Sequence, residues 1–316
     1  MSELKSVAAS APGKTNLFFA VGPLMDDGFH EVASVYLALD LREEISVSLS
    51  DSLNITVSGT IPQNHLDAVP LDASNLVVKA ADFVAAVTEG NLSAERLSFD
   101  VTKNVPVAGG MGGGSADAAA ALLAVAELWQ NTAFAADQNM IASTVVLGAD
   151  VPFALRGGVC VGLGRGEKLT EIVGVSKLHL VLVTSEQGLS TPAVYQRLDE
   201  LRAQRGEDPR KAAAAEVGHL VIDALKSGDL ALLADNLRND LQEAALDLRP
   251  DLKETIDAGL AAGALTGFVS GSGPTIAFLA ADQRSAENLA ETLRGQGRAA
   301  IATSGPSAGA IIREEH

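Results

Sequence analysis

Short apolar runs dominate the first hundred residues, and longer, helically spaced runs fill the middle of the chain. Residues 17–21, 36–41, 45–49, 53–57 and 97–101 read as strands, with turn-forming residues between several of them. Residues 59–72, with Pro62 and Pro70, read as a surface loop. Asp72 then opens a helical pattern over 75–87 that stops near Gly90. A second helix is expected from Ser115 through Trp129, and a third over 137–147, closed by Gly148. Strands restart at 159–162 and 178–184, and helices follow from Pro192 to about Gly259, broken by the polar stretch 205–210. Two strands at 268–269 and 275–280 flank a Gly-Ser turn, and a helix at 285–293 and a strand at 299–303 complete the pattern. This mixture predicts an α and β protein, and 316 residues suffice for two lobes.

Composition narrows the function classes. Hydrophobic residues are 47% and charged residues 20%, a globular balance. Lys plus Arg is 23 against 40 Asp plus Glu, so the net charge is −17, which disfavours nucleic acid and anionic membrane surfaces as partners. Residue Cys160 is the single cysteine, so neither an intrachain disulfide nor a cysteine zinc site is expected. Residues 1–5 include Glu3 and no long apolar stretch follows, so no secretory signal is expected. Residues 258–281 carry no charge, and Gly259, Gly263 and Gly267 fall at the spacing of a membrane helix-packing face. Ser270-Gly271-Ser272-Gly273-Pro274 interrupts that run, so a continuous span of about 20 residues is not expected. The expectation is a reduced, cytoplasmic, soluble protein.

Four segments could carry chemistry. The strongest is Gly109-Gly110-Met111-Gly112-Gly113-Gly114-Ser115-Ala116-Asp117, running into an alanine-rich helix. Glycines there bear an entropic cost, and a glycine loop feeding a helix N-terminus aims unpaired N–H groups outward, beside the positive end of the helix dipole. That is a phosphate cradle; the alternative is a merely flexible or tightly packed loop. A Walker loop is excluded, because Gly13-Lys14-Thr15 has Ala8 where the leading glycine should stand. The dinucleotide fingerprint is also incomplete. In Ser10-Ala11-Pro12-Gly13-Lys14-Thr15-Asn16-Leu17, Lys14 could aim an ammonium at phosphate or carboxylate, though alone it reads as a solvated lysine. In Gly148-Ala149-Asp150-Val151-Pro152, Gly148 closes a helix and Pro152 is expected to prevent its resumption, leaving Asp150 in a constrained apolar loop as a base or a turn aspartate. Val269-Ser270-Gly271-Ser272-Gly273-Pro274 is a close backbone approach or a hairpin turn.

In this order the segments resemble the GHMP kinase superfamily, whose three motifs correspond to residues 11–17, 106–118 and 269–275. Asp27-Gly28-Phe29-His30, the stretch Ser74-Asn75-Leu76 with Lys79-Ala80-Ala81, and Gly148-Ala149-Asp150-Val151-Pro152 are most similar to one branch of it. That branch phosphorylates a methylerythritol carrying a cytidine diphosphate group, in the non-mevalonate isoprenoid precursor pathway. The resemblance implies a two-lobe α+β fold with the active site in the cleft. Residues 1–157 would form an N-terminal lobe like the second domain of ribosomal protein S5, and residues 158–316 the C-terminal GHMP kinase lobe.

The resemblance further implies transfer of the γ-phosphoryl group of ATP to the C2 hydroxyl, with Asp150 as general base and Lys14 beside it. Gly109, Gly110, Gly112, Gly113, Gly114 and Ser115 would wrap the ATP phosphates, with Asn75, Lys103 and Pro106 on the nucleotide side. Ser115 is the candidate Mg²⁺ ligand, unless ATP alone holds the ion. Asn16, Phe29, His30, Tyr36, Asp150, Thr191 and Tyr195 would meet the small-molecule substrate. Phe29, Tyr36 and Tyr195 would stack on its cytosine, and Phe29 stands where the branch usually has tyrosine. A homoserine- or mevalonate-type kinase is the nearest alternative, and a nonenzymatic nucleotide-binding regulator on the same fold the more distant one. Oligomeric state is left between monomer and homodimer.

Overall fold

The computed structural model describes residues 6–90, 92–106, 109–131, 134 and 137–313. The expectation for residues 1–5 lies outside them, as do residues 107 and 108 of the 106–118 motif. The strands are β1 (Ser6–Leu24), β2 (His30–Leu49), β3 (Asn54–Gly59), β4 (Leu97–Lys103), β5 (Val159–Gly164), β6 (Lys168–Glu171), β7 (Leu178–Thr184), β8 (Arg238–Asn239), β9 (Thr266–Val269), β10 (Ile276–Ala280), β11 (Ala299–Gly305) and β12 (Ile311–Arg313). The helices are α1 (Gln63–Leu66), α2 (Leu76–Val87), α3 (Gly113–Leu128), α4 (Gln138–Ser143), α5 (Val151–Arg156), α6 (Thr191–Gln204), α7 (His219–Ser227), α8 (Leu230–Asn236), α9 (Gln242–Leu248), α10 (Asp251–Ala261) and α11 (Gln283–Gly295).

Two sheets organise the chain. The first runs β12-β1-β2-β4-β3, with β5 added to β2, β6 to β5 and β8 to β1; the second runs β11-β7-β10-β9. The separate strands expected at 36–41 and 45–49 are one strand, β2, pairing antiparallel along nearly its whole length with β1. A division at 157/158 falls just before β5, which still belongs to the first sheet.

The core shows why these elements pack. On β7, Leu180 and Leu182 join the cluster between the sheets, while Val181 and Val183 face the cluster containing Leu289 and Leu293 of α11. This is the two-residue alternation of a strand buried on both faces. Helix α3 is different: Ala118, Ala119, Ala120, Ala121 and Leu122 are all fully buried, so no polar face exists for periodicity to reveal. Small side chains let it lie close to α2 and the first sheet.

The glycine spacing at 259 and 267 has a packing cause. A methyl group added at Gly259 or Gly267 would lie 2.2 or 2.6 Å from the Phe278 ring. Among the described residues, no helix is long and apolar enough to cross a membrane.

Candidate active site

Strand β1 delivers the first functional group through an irregularity. Its register against β2 shifts between Pro12 and Lys14, where proline cannot donate to the ladder. Gly13 sits against Val105, and the Lys14 N–H donates to the Met111 carbonyl at 2.9 Å, tying the strand to the glycine segment. The Lys14 side chain is buried, and its ammonium donates to Asn16 Oδ1 at 2.9 Å, two residues along the same strand. It also lies 3.4 Å from Asp150 Oδ2 and 5.6 Å from the Tyr36 ring centroid. Asn16 is held in turn by donating to Ser34 Oγ at 2.7 Å.

Asp150 occupies the N-cap of α5, with Pro152 in the first turn. Pro152 therefore begins a helix rather than preventing one, because its fixed φ and missing N–H suit that position. The Asp150 side chain makes no capping hydrogen bond and is left for Lys14.

The glycine segment leads into α3 through Gly112, whose φ of 70° is left-handed. The first helical bond runs from Ala116 N–H to the Gly112 carbonyl, so the N–H groups of Gly113, Gly114 and Ser115 precede the helical ladder. Close approach explains the glycines. A methyl group at Gly110 would stand 2.5 Å from the Ser270 carbonyl oxygen, and one at Gly112 would stand 3.2 Å from Lys14 Cγ and 3.7 Å from Asp150 Oδ2.

A cavity of about 410 Å³ opens over this segment, lined by Pro106, Gly109, Gly110, Gly112, Gly113, Gly114 and Ser115 and by Asn75, Lys103 and Asp117. Asn75 also caps α2 by accepting from Val77 N–H at 3.0 Å. Lys103 is buried, with its ammonium set against the carboxyl groups of both Glu43 and Asp117. Sequence reasoning missed both partners, since β2 and α3 meet only in three dimensions. Burial opposes the Lys103 charge, yet the Asp117 and Glu43 carboxylates hold its pKa above the ordinary value. Burial, reinforced by Asp117, pushes Glu43 up to about 8.

That shift has a thermodynamic sign. The unfolded glutamate releases its proton near 4.5, whereas the folded one keeps it to about 8. Stability is therefore fully present below the lower value and is lost as pH rises through the upper one. Thermal melts should show Tm falling between pH 5 and 8, and Glu43→Gln should reduce that total fall by at least about 2 °C. An unchanged slope in the variant would remove Glu43 from the titration.

A second cavity, about 890 Å³, is lined by Phe29, His30, Thr191 and Tyr195 together with Arg165, Gln196 and Asp199. Phe29 is 55% exposed at its rim, with the Arg165 guanidinium 4.0 Å from its ring centroid and Arg165 paired to Asp27 at 2.6 Å. Burial, and then the Asp150 charge, pushes the Tyr195 phenol well up, so it stays neutral. Tyr36 departs from expectation. It is 2% exposed and packs on Phe153 at 5.1 Å, so its ring offers no open face to a base and instead backs Lys14.

The third motif closes the gap between the cavities. Thr191 Oγ1 and Ser272 Oγ lie 2.8 Å apart, Thr15 Oγ1 and Ser270 Oγ 2.9 Å apart, and Asn239 Nδ2 donates to the Val269 and Gly271 carbonyls at 2.7 Å each. Asn239 was also missed; it lies far from any motif in sequence. Lys14 and Asp150 thus sit where the glycine segment meets the third motif and the second cavity, whose wall includes Ala149.

Among the described residues no group of three His, Cys, Asp or Glu side chains is placed to hold a metal. Ser115 Oγ is 3.5 Å from where a Gly148 methyl group would be, beside the Asp150 loop. Ser115 thus sets a hydroxyl beside the glycine segment at the lining of the smaller cavity.

Two family models match: the GHMP kinase N-terminal domain over residues 75–158 and the GHMP kinase C-terminal region over residues 221–299. The chain is 46% identical to 4-diphosphocytidyl-2-C-methyl-D-erythritol kinase of Pseudarthrobacter chlorophenolicus, covering 98% of this chain and 95% of that protein. It is 44% identical to the protein of the same name from Streptomyces coelicolor, covering 97% and 99%. A crystal structure of 4-(cytidine 5'-diphospho)-2C-methyl-D-erythritol kinase superposes with a TM-score of 0.72 at 27% identity, covering 95% of this chain and 100% of that one. L. major mevalonate kinase superposes with a TM-score of 0.72 at 18% identity over 98% and 99%, a likeness of fold. The nearly full-length agreement with the first three, on a scaffold where all three motifs meet at Lys14 and Asp150, makes this chain a member of the GHMP kinases and, within them, of the 4-diphosphocytidyl-2-C-methyl-D-erythritol kinase family.

Proposed function

We propose that this chain transfers the γ-phosphoryl group of ATP to the C2 hydroxyl of 4-diphosphocytidyl-2-C-methyl-D-erythritol, giving the 2-phosphate and ADP. One observation carries the reading: the Lys14–Asp150 pair, 3.4 Å apart, is wedged between a glycine loop at a helix N-terminus and a larger cavity.

The smaller cavity takes the nucleotide. Backbone N–H groups of Gly113, Gly114 and Ser115 face the phosphates, aided by the positive end of α3. Asn75, Lys103 and Pro106 line its nucleoside side. Mg²⁺ would be held by the ATP oxygens with Ser115 Oγ as the protein's contribution, and it would neutralise charge on the phosphates. The larger cavity takes the cytidine diphosphate portion, with Phe29 and Tyr195 as stacking rings and His30 at the base edge. Asn16 and Thr191 position the alcohol between the two cavities.

Asp150 accepts the proton of the attacking hydroxyl. Lys14 holds the carboxylate in place and offers positive charge to the phosphoryl group as it moves. Phosphoryl transfer asks for this combination of in-line positioning and charge neutralisation more than for covalent chemistry. Incubation with γ-labelled ATP and the diphosphocytidyl substrate should place label on the C2 oxygen. Faster transfer to homoserine or mevalonate would overturn the assignment.

A further inference from the structure

The larger cavity holds a carboxylate that the reaction above does not use. Asp199 Oδ1 lies 3.0 Å from His30 Nε2, and both side chains are largely buried, at 20% and 4% exposure. Tyr195, one turn earlier on α6, stacks on the same imidazole with centroids 5.2 Å apart and planes at 27°. Residues four apart share a helix face, so α6 delivers a ring and a carboxylate together to one histidine. All three side chains line the cavity.

An ionised carboxylate can only accept hydrogen bonds. Asp199 therefore requires the hydrogen on Nε2, and a neutral imidazole so fixed carries its lone pair on Nδ1. Tyr195 stacked on the ring restrains it from turning to exchange the two nitrogens. We infer that Asp199 is a specificity-positioning residue: it locks His30 as the Nε2–H tautomer, so that the cavity presents an acceptor to the 4-amino group of cytosine and rejects the 4-carbonyl of uracil. The inference rests on the assignment of a cytidine diphosphate substrate to this cavity. Uracil sets an oxygen lone pair where cytosine sets a donor, and a buried acceptor left facing an acceptor discriminates strongly.

Calorimetric binding of CDP and UDP, run at pH 8 beside the kinase assay, tests this. The parent chain should favour CDP by at least about 10²-fold. In Asp199→Asn the side-chain amide can donate to Nε2 and drive the hydrogen to Nδ1, so the CDP/UDP ratio should fall at least about tenfold. Asp199→Ala, which releases the ring without offering a donor, should give a smaller fall. ATP affinity should stay at parental values in both variants, since neither change touches the glycine loop, and a melt beside each binding series shows that the variant is folded. An unchanged ratio in both folded variants, or a parent chain that binds CDP and UDP alike, overturns the inference. A parent chain that prefers CDP yet transfers no phosphate to the diphosphocytidyl substrate overturns the kinase reading and leaves the tautomer lock standing.

Discussion

Asp150→Asn should lower kcat by at least about 10²-fold while ATP affinity stays within about twofold, because the amide keeps the shape of the side chain but cannot take a proton. The change is clean for a structural reason. Asp150 stands at the N-cap of α5 without making a capping bond, so the substitution removes no capping hydrogen bond from the helix. Its contact at 3.4 Å is with Lys14, which keeps Asn16 as a second partner. Steady-state rates with nucleotide binding measured separately, and a melt beside them, would check it. Near-parental turnover in a folded variant would remove Asp150 from proton transfer, and a loss confined to KM would make it a substrate-binding group.

The sequence exposed the parts of this site that are local and concealed those assembled across elements. Five glycines in six positions before an alanine helix require a backbone explanation, and the structure supplies one in the left-handed Gly112 and the close approach of Gly110 to Ser270. Gly148 and Pro152 bracket Asp150 and single it out, although the pair predicts a loop where the structure has the N-cap of α5. Proline in the first turn starts a helix as readily as proline in the interior ends one. Asp40, Arg42, Glu43 and Glu44 break the apolar run of β2 and so predict two strands, yet Glu43 points inward to Lys103. A charge inside a strand reads as a turn until its buried partner is known. Tyr36 shows the opposite case: expected to stack on the cytosine, it is wholly covered here, with the Lys14 ammonium over its ring.

The same distinction applies to the two halves of the larger cavity. Phe29 and His30 belong to a short motif and were visible in one dimension. Asp199 and Arg165, which hold them, come from 169 residues after His30 and from the β5–β6 turn, with no local pattern that marks either. Groups that touch a ligand tend to be set in constrained turns with glycine or proline neighbours. Groups that orient them need only arrive at the right distance, and any surface helix can bring them.

Lys14→Met should lower kcat by about 10²–10³-fold, or about 2.7–4 kcal/mol, the range seen when one fixed donor is withdrawn from a developing anion. Methionine retains the apolar stem that packs near Gly112, so the loss isolates the ammonium. Removing it has two local consequences. Asn16 Oδ1 loses its donor at 2.9 Å and Asp150 loses its ion pair, but Asp150 is a quarter exposed and water can reach it. A modest fall in stability is therefore expected beside a large fall in rate. The decisive measurement is the double variant Lys14→Met with Asp150→Asn. Two groups in contact that serve one proton and one phosphoryl group act as a unit, so the double variant should lose far less than the product of the single losses. Multiplicative losses would mean that the two side chains act on separate steps, with the lysine serving the nucleotide and the aspartate the alcohol, and their proximity would then be a matter of packing alone.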